Sequence, residues 1–400
     1  AWLWGRGAAG PIRAALRRRR YEWAWHASAL RASLVGLASV LPAGAPVFGF
    51  VPEAEPGFLA AVLAGLDAGG FRLTGRALRE EDGQALFTWE ASPQGAHGEE
   101  LGLWKQRLAD AAQETLEAWA QPARYAVLHA ASWTDLAGRR WLGPLWQESE
   151  DLPISRVADE FVVALNDRRR FVRLDQRAEL ESGVFWLAEA AVDSAPLMDR
   201  VELAVLRMLR REGVVQQMEV EEAVCQEFPG LLSPDRGLVR SCLFSYAVED
   251  EQAGGGWKLR DEDLAASRRE DREGLIQLVT ELGGRLGYRT GGPEPLLWLD
   301  EQGREAYRFH ILETAAFGEL LNAPASQRSV VVIPGGRGVL VAEKARRDPR
   351  LESWLREGSR VVKYRHIRRL AEEVTLKREN LAERLALDPP GREDPQLPLL

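Results

Sequence analysis

The chain has 400 residues, 46% hydrophobic and 28% charged, with 52 basic against 60 acidic side chains and a net charge of −8. That length exceeds one ordinary hydrophobic core and sets two or three domains as the expectation, while the composition excludes a disordered chain. The acidic balance excludes a uniformly basic nucleic-acid coat but leaves room for local basic patches.

Two cysteines, Cys225 and Cys242, lack paired metal-ligand spacing, so neither a disulfide framework nor a zinc site follows, and a reducing cytoplasm fits. No apolar run approaches the roughly 18 residues a membrane span needs, so no membrane partner is expected. The stretch Ala1 to Gly10 lacks the layout of a signal peptide. The opening Ala1-Trp2-Leu3-Trp4 is apolar and aromatic where a natural start is usually loose and polar. It reads as a chain whose beginning lies upstream, the other reading being removal of methionine before a small residue.

In chain order, Gly5-Arg6-Gly7-Ala8-Ala9-Gly10 spells a dinucleotide turn, Gly-x-Gly-x-x-Gly. That pattern has a mechanism only between a strand and a helix, and too little chain precedes it, so it reads as a Gly-rich connection. Arg17, Arg18, Arg19 and Arg20 then stand beside Tyr21, Trp23, Trp25 and His26. Basic and aromatic side chains together hold phosphate and stack on bases. The same residues also read as a solvated turn before a helix from Glu22 to Leu41, with Trp23, Leu30, Leu34, Leu37 and Leu41 facing a core.

Pro46-Val47-Phe48-Gly49-Phe50-Val51, closed by Pro52, predicts a strand buried on both faces. Pro56 opens a helix in which Phe58, Leu59, Val62, Leu63 and Leu66 recur at helical spacing until Gly69-Gly70. Phe71 to Leu78 and Ala85 to Trp89 alternate on either side of Glu81-Asp82-Gly83 and predict a hairpin. Ser92 to Glu99 is a linker of Gly, Pro and polar residues. Leu101 to Ala120 is an amphipathic helix and Tyr125 to Ala137 a second, in which His129 has no second ligand at metal spacing and reads as a packed core histidine. Arg168-Arg169-Arg170 turns into an alternating strand at Phe171 to Leu174.

From Pro196 the pattern sharpens. Met198 to Arg211, Val220 to Glu227 and a helix begun by Ser233-Pro234-Asp235 precede a strand, Trp257 to Arg260, after Gly254-Gly255-Gly256. Three helices and a strand-like wing in about 65 residues resemble a winged helix, in which the third helix faces the major groove and the wing touches backbone. Arg236 and Arg240 share one side of that helix, and Lys258 and Arg260 sit on the wing. These four are candidate DNA contacts. Glu221, Glu222, Glu249, Asp250 and Glu251 make the region locally acidic and keep a protein-binding reading open.

Asp261 to Gly287 reads as a charged connecting helix. Leu296 to Leu299 and Ala306 to Ile311 flank a turn, Leu312 to Leu321 reads as helical, and Ser329 to Ile333 is a buried strand. Val339 to Ala345 starts a helix, and Arg360 to Tyr364 is a strand before a helix from Ile367 to Leu385. This order resembles restriction-endonuclease-like folds, whose chemistry needs a carboxylate and a carboxylate-x-lysine on adjacent strands to hold a divalent cation. Tyr307 to Ile311 carries His310 instead, and Glu343-Lys344 has the wrong spacing, so a nuclease-like scaffold without nuclease activity and without metal is expected. Between Arg328 and Arg384 there are 15 Lys and Arg against 8 Asp and Glu. Lys363 and Arg365 within it are candidate phosphate contacts, a helix surface being the other reading.

The strand, helix and hairpin from Pro46 to Glu90 resemble the end of a class I S-adenosylmethionine-dependent methyltransferase domain. Tyr21-Glu22-Trp23-Ala24-Trp25-His26, Gly69-Gly70-Phe71-Arg72-Leu73-Thr74, Pro196-Leu197-Met198-Asp199-Arg200-Val201-Glu202 and Phe228-Pro229-Gly230-Leu231-Leu232 resemble large bacterial DNA methylase-like proteins. The resemblance implies an α/β chain in five parts. These are a methyltransferase-like end (1–92), a helical and mixed connection (93–195), a winged-helix-like domain (196–263), a degenerate nuclease-like α/β domain (264–386) and a tail (387–400). It implies DNA as partner and S-adenosylmethionine as cofactor. The Gly-rich donor turn and the Asp-Pro-Pro-aromatic motif are absent; Asp388-Pro389-Pro390 lacks the aromatic, since Gly391 follows. The chain is therefore expected to bind DNA without methylating it alone. The alternative is a non-catalytic DNA-binding or scaffold protein with protein partners in a restriction or defence system.

Overall fold

A computed structural model of the chain describes residues 20–92, 102–148, 153–175, 179–189, 194–250, 254–292 and 294–388. The chain is mixed helix and strand and divides into two compact units. One comprises Ala1–Val192 with Phe228–Asp235, the other Asp193–Glu227 with Arg236–Leu400. No described helix is long and apolar enough to cross a membrane.

The first unit opens with α1 (Trp23–Val40), β1 (Pro46–Val51), α2 (Pro56–Ala68), β2 (Phe71–Arg79) and β3 (Gln84–Ala91). Proline fits the first turn of α2 because it lacks an N–H that would have no partner there. The helix ends where Gly70 takes φ +95°, a conformation a Cβ resists. From Leu59 to Asp67 every residue of α2 is buried, so the helix runs through the core rather than along its surface.

The sheet has the order β1-β3-β2. Both β1 and β2 run antiparallel to β3, hence in the same direction as one another, with α2 as the crossover. The remaining elements are α3 (Trp104–Trp119), β4 (Ala123–Arg124), α4 (Tyr125–Gly138), α5 (Leu142–Glu148), α6 (Pro153–Leu165), β5 (Phe171–Arg173) and β6 (Val184–Leu187). The last three strands form a small antiparallel sheet, β4-β6-β5. Trp133, Phe161 and Phe185 lie at the centre of a core shared by all these helices. The segment Phe228–Asp235 belongs to this unit, where Trp119 Nε1 donates to Leu231 O at 3.0 Å.

The second unit begins with α7 (Leu197–Glu212), β7 (Val214–Val215), α8 (Gln217–Glu227), α9 (Arg236–Tyr246), β8 (Ala247–Asp250) and β9 (Gly256–Leu259), the strands ordered β7-β9-β8. It continues with α10 (Ala265–Arg285), β10 (Arg289–Gly291), β11 (Leu296–Leu299), β12 (Glu305–Ile311), β13 (Ser329–Ile333), α11 (Gly338–Arg347), α12 (Pro349–Arg356), β14 (Arg360–Lys363), α13 (Tyr364–Glu372) and α14 (Leu381–Leu385). The five-stranded sheet runs in sequence order, antiparallel from β10 to β12 and parallel from β12 to β14. Trp298, Phe309, Val330, Val332 and Val362 build its core.

Four expectations are corrected. β1 is not buried on both faces: Phe48 is 72% and Phe50 61% exposed, and among the described residues β1 pairs on one side only. An apolar run by itself cannot distinguish a central strand from an edge. The stretch α10 is no mere connector, because Leu275, Val279 and Leu282 recur at helical spacing and are buried against the sheet. Leu312 to Leu321 holds only a short 3-10 turn at Gly318–Asn322. There the N–H groups of Ala315 and Gly318 donate to the carboxylates of Glu202 and Asp199. The helix expected from Ile367 to Leu385 is two short ones, α13 and α14.

Candidate nucleic-acid interface

Among the basic candidates, Arg17, Arg18 and Arg19 lie outside the described residues. Arg20 is exposed, its guanidinium 5.4 Å from the Tyr21 ring centroid. Arg236 and Arg240 do share the exposed side of α9. Arg236 Nε stands 3.3 Å from Glu221 Oε2, and Arg240 stacks on Phe244 at 5.1 Å. Lys258 is exposed on β9.

Arg260 and Lys363 are placed otherwise than as phosphate contacts. Arg260 turns back to the end of α9 and donates to Phe244 O at 2.8 Å and Ala247 O at 3.3 Å, fixing the root of the β8-β9 hairpin. Lys363 is buried at the end of β14, its Nζ 3.1 Å from Asp388 Oδ1. A buried ammonium needs a carboxylate partner, and that pairing takes Lys363 out of reach of a phosphate.

Arg365 lies differently. It lines an open cleft of about 990 Å³ in the second unit, walled by α10, by the Pro334-Gly335-Gly336 turn after β13 and by the first turns of α13. The cleft therefore sits outside the carboxyl ends of the parallel strands β13 and β14, where open α/β sheets commonly take ligands. Arg365 and Arg368 keep 38% and 48% of their side chains exposed. Arg368 is held by Asp271, which also accepts from Arg268 Nη1 at 3.1 Å. Arg268 is itself buried on Asp263. Glu262, Glu270 and Glu372 on the walls make the cleft's charge mixed. Two partly exposed guanidiniums beside the start of α13 suit an anionic group; the carboxylates around them, Glu262, Glu270, Asp271 and Glu372, oppose it.

The second unit also holds two buried ionic clusters that sequence reasoning missed. Arg337, 1% exposed, donates to Asp263 and to Ser245 O and lies 3.5 Å over the Tyr246 ring. Lys344 Nζ binds Asp199 Oδ1 at 2.5 Å, Glu202, and Ala315 O at 2.9 Å. A signal existed for the second cluster: Asp199 and Glu202 stand three apart on the same face of α7 as Met198, Val201 and Val205. Charges at core positions of an amphipathic helix announce buried partners.

On β12, His310 is half-buried, and burial holds its imidazole below the ordinary histidine range. The carboxylate of that strand, Glu305, is taken by Arg308 at 2.6 Å. Among the described residues no group of three His, Cys, Asp or Glu could hold a metal ion. The turn from β1 to α2, Pro52-Glu53-Ala54-Glu55, has no glycine to let backbone approach a nucleotide. That turn therefore offers no Gly-rich cradle for a nucleotide. No protein-family description matches the chain, and neither a curated protein nor a solved structure matches it.

Proposed function

We propose that this chain is a DNA-binding portion of a DNA methyltransferase-like protein, in which residues outside the chain bind the methyl donor and the target base. One observation carries the reading. In the sheet β1-β3-β2 a hairpin strand is inserted between two like-directed strands joined by α2, an order that resembles the end of a class I methyltransferase sheet. The topology from α7 to β9 supports it further. Helix, strand, helix, helix and hairpin, with the sheet order β7-β9-β8, resemble a winged helix, and Arg236, Arg240 and Lys258 are exposed on its third helix and wing. No step of methyl transfer is assigned to residues of this chain.

The test has two parts. The protein extended upstream along its natural coding sequence is expected to transfer labelled methyl groups from S-adenosylmethionine to duplex DNA, and failure of that transfer overturns the methyltransferase reading. The chain itself is expected to bind duplex DNA with an affinity that falls as salt rises. The variant R236A/R240A/K258A should lower the slope of log affinity against log salt by about 1 per lost phosphate contact. Unchanged binding and slope would remove this face from the DNA-contacting surface.

A second reading, a non-catalytic DNA-binding or scaffold protein of a restriction or defence system, draws on Phe244 and Val248, apolar side chains exposed on the same helix and wing. It leads if the chain binds DNA in a salt-dependent way while the protein extended upstream binds no S-adenosylmethionine.

A further inference from the structure

The first unit contains a cavity of about 560 Å³ that the DNA-binding reading does not use. Trp23 and Trp25 at the start of α1 form one wall, the N-terminal turn of α2 another, and Tyr125 and His129 on α4 the floor. Glu55 and Glu181 stand at its edge, exposed.

Two of the floor residues, Tyr125 and His129, are polar and buried. Tyr125 is 4% exposed, and its hydroxyl makes no hydrogen bond with a described residue. Burial and the nearby Glu181 carboxylate push that phenol up to about 12, so it stays protonated. His129 is 3% exposed, and its Nδ1 has no hydrogen-bond partner. Burial pushes its imidazole down to about 3, so the ring is uncharged. Phe161 and Trp133 enclose the ring from the core side, at 5.5 Å each. Glu181 makes no ion pair with a described residue. Glu55 sits at the N-cap position of α2, where the positive end of the helix offsets part of its charge.

We propose that this cavity binds a small organic cation carrying N–H donors, an alkylammonium or guanidinium group. Tryptophan faces attract a cation within about 6 Å through the ring quadrupole. The Tyr125 phenol oxygen accepts its N–H groups, and Glu181 with Glu55 supplies the opposing charge. No lysine or arginine lines the cavity, so an anion would face Glu22, Glu55 and Glu181 with no opposing charged side chain. A neutral planar ligand would leave the carboxylates unanswered.

The test is a titration of the chain with spermidine and, separately, with N-acetylarginine methylamide, read by tryptophan fluorescence, with sodium chloride matched for ionic strength. Saturable quenching at millimolar cation or below is expected. E55Q/E181Q, both on exposed side chains and harmless to folding, should weaken it at least about fivefold, near 1 kcal/mol. Saturation by spermidine alone points to a free polyamine, and by the arginine probe alone to a guanidinium ligand; either supports the site. The proposal falls if no saturable change appears, if the double variant binds as the parent does, or if adenosine monophosphate binds as tightly as the cations.

Discussion

Lys344 Nζ stands 2.5 Å from Asp199 Oδ1 in the interior of the second unit, 145 residues away in sequence. The same ammonium reaches Glu202, whose second oxygen accepts from the Tyr246 hydroxyl and from Ala315 N. One cluster thus ties together α7, α9, α11 and the loop after β12. Every member has a partner, which is the condition for a buried ionic group to persist.

Lys344→Met leaves two buried carboxylates facing each other without a counter-charge. It should cost about 3–5 kcal/mol, read as a lower urea midpoint for the second unit. Tyr246→Phe removes one donor and should cost about 1–3 kcal/mol. A Lys344→Met midpoint equal to the parent's would show that the cluster stabilises nothing.

His129 yields a pH prediction whose sign follows from its environment. Its folded value is about 3, against 6.5 for an ordinary histidine. Between those values the unfolded chain binds a proton that the folded one refuses. The contribution is fully present above pH 6.5 and is lost as pH falls from there toward 3, by at most about 1.4 kcal/mol per pH unit. His129→Gln should flatten that part of the stability profile. In the parent, the imidazole nitrogen resonances should show a neutral ring at pH 5; a ring titrating near 6.5 would refute the assignment.

Phe48 and Phe50 project from the open face of β1. Replacing both with Ser should change stability by no more than about 0.5 kcal/mol per site, as surface substitutions do. It should also reduce concentration-dependent self-association, because an exposed apolar edge strand is a template for pairing. Sedimentation at several concentrations checks both strands of the argument alongside a melt.

Gly57 tests the wall of the aromatic cavity. A Cβ there would lie 2.1 Å from Trp23 Nε1 and 2.5 Å from its Cδ1, so the indole must move. Gly57→Ala should cost about 1–3 kcal/mol as overpacking and shift the tryptophan emission. An unchanged spectrum and midpoint would mean that Trp23 does not pack there.

Much of the local structure is legible from the chain. The apolar spacing of Leu59, Leu63 and Leu66, the stop at Gly69-Gly70 and the alternation on either side of Gly83 place α2, β2 and β3, because periodicity and turn chemistry are properties of neighbouring residues. Leu275, Val279 and Leu282 carried the same signal in α10, but it was hidden among charges. The aromatic cavity was not legible, because Trp23, Tyr125 and Glu181 are far apart in sequence.

The sequence by itself determined where most helices and strands lie, that the chain is mixed α/β, and that donor-binding and nuclease motifs are missing from it. Only the tertiary structure decided that β1 pairs on one side alone among the described residues, that Lys363 and Arg260 serve the fold while Arg365 lines a cleft, and that Lys344 meets Asp199 and Glu202. The physical reason is that a side chain's charge and size are written locally, whereas its burial and its partner depend on which distant element packs over it.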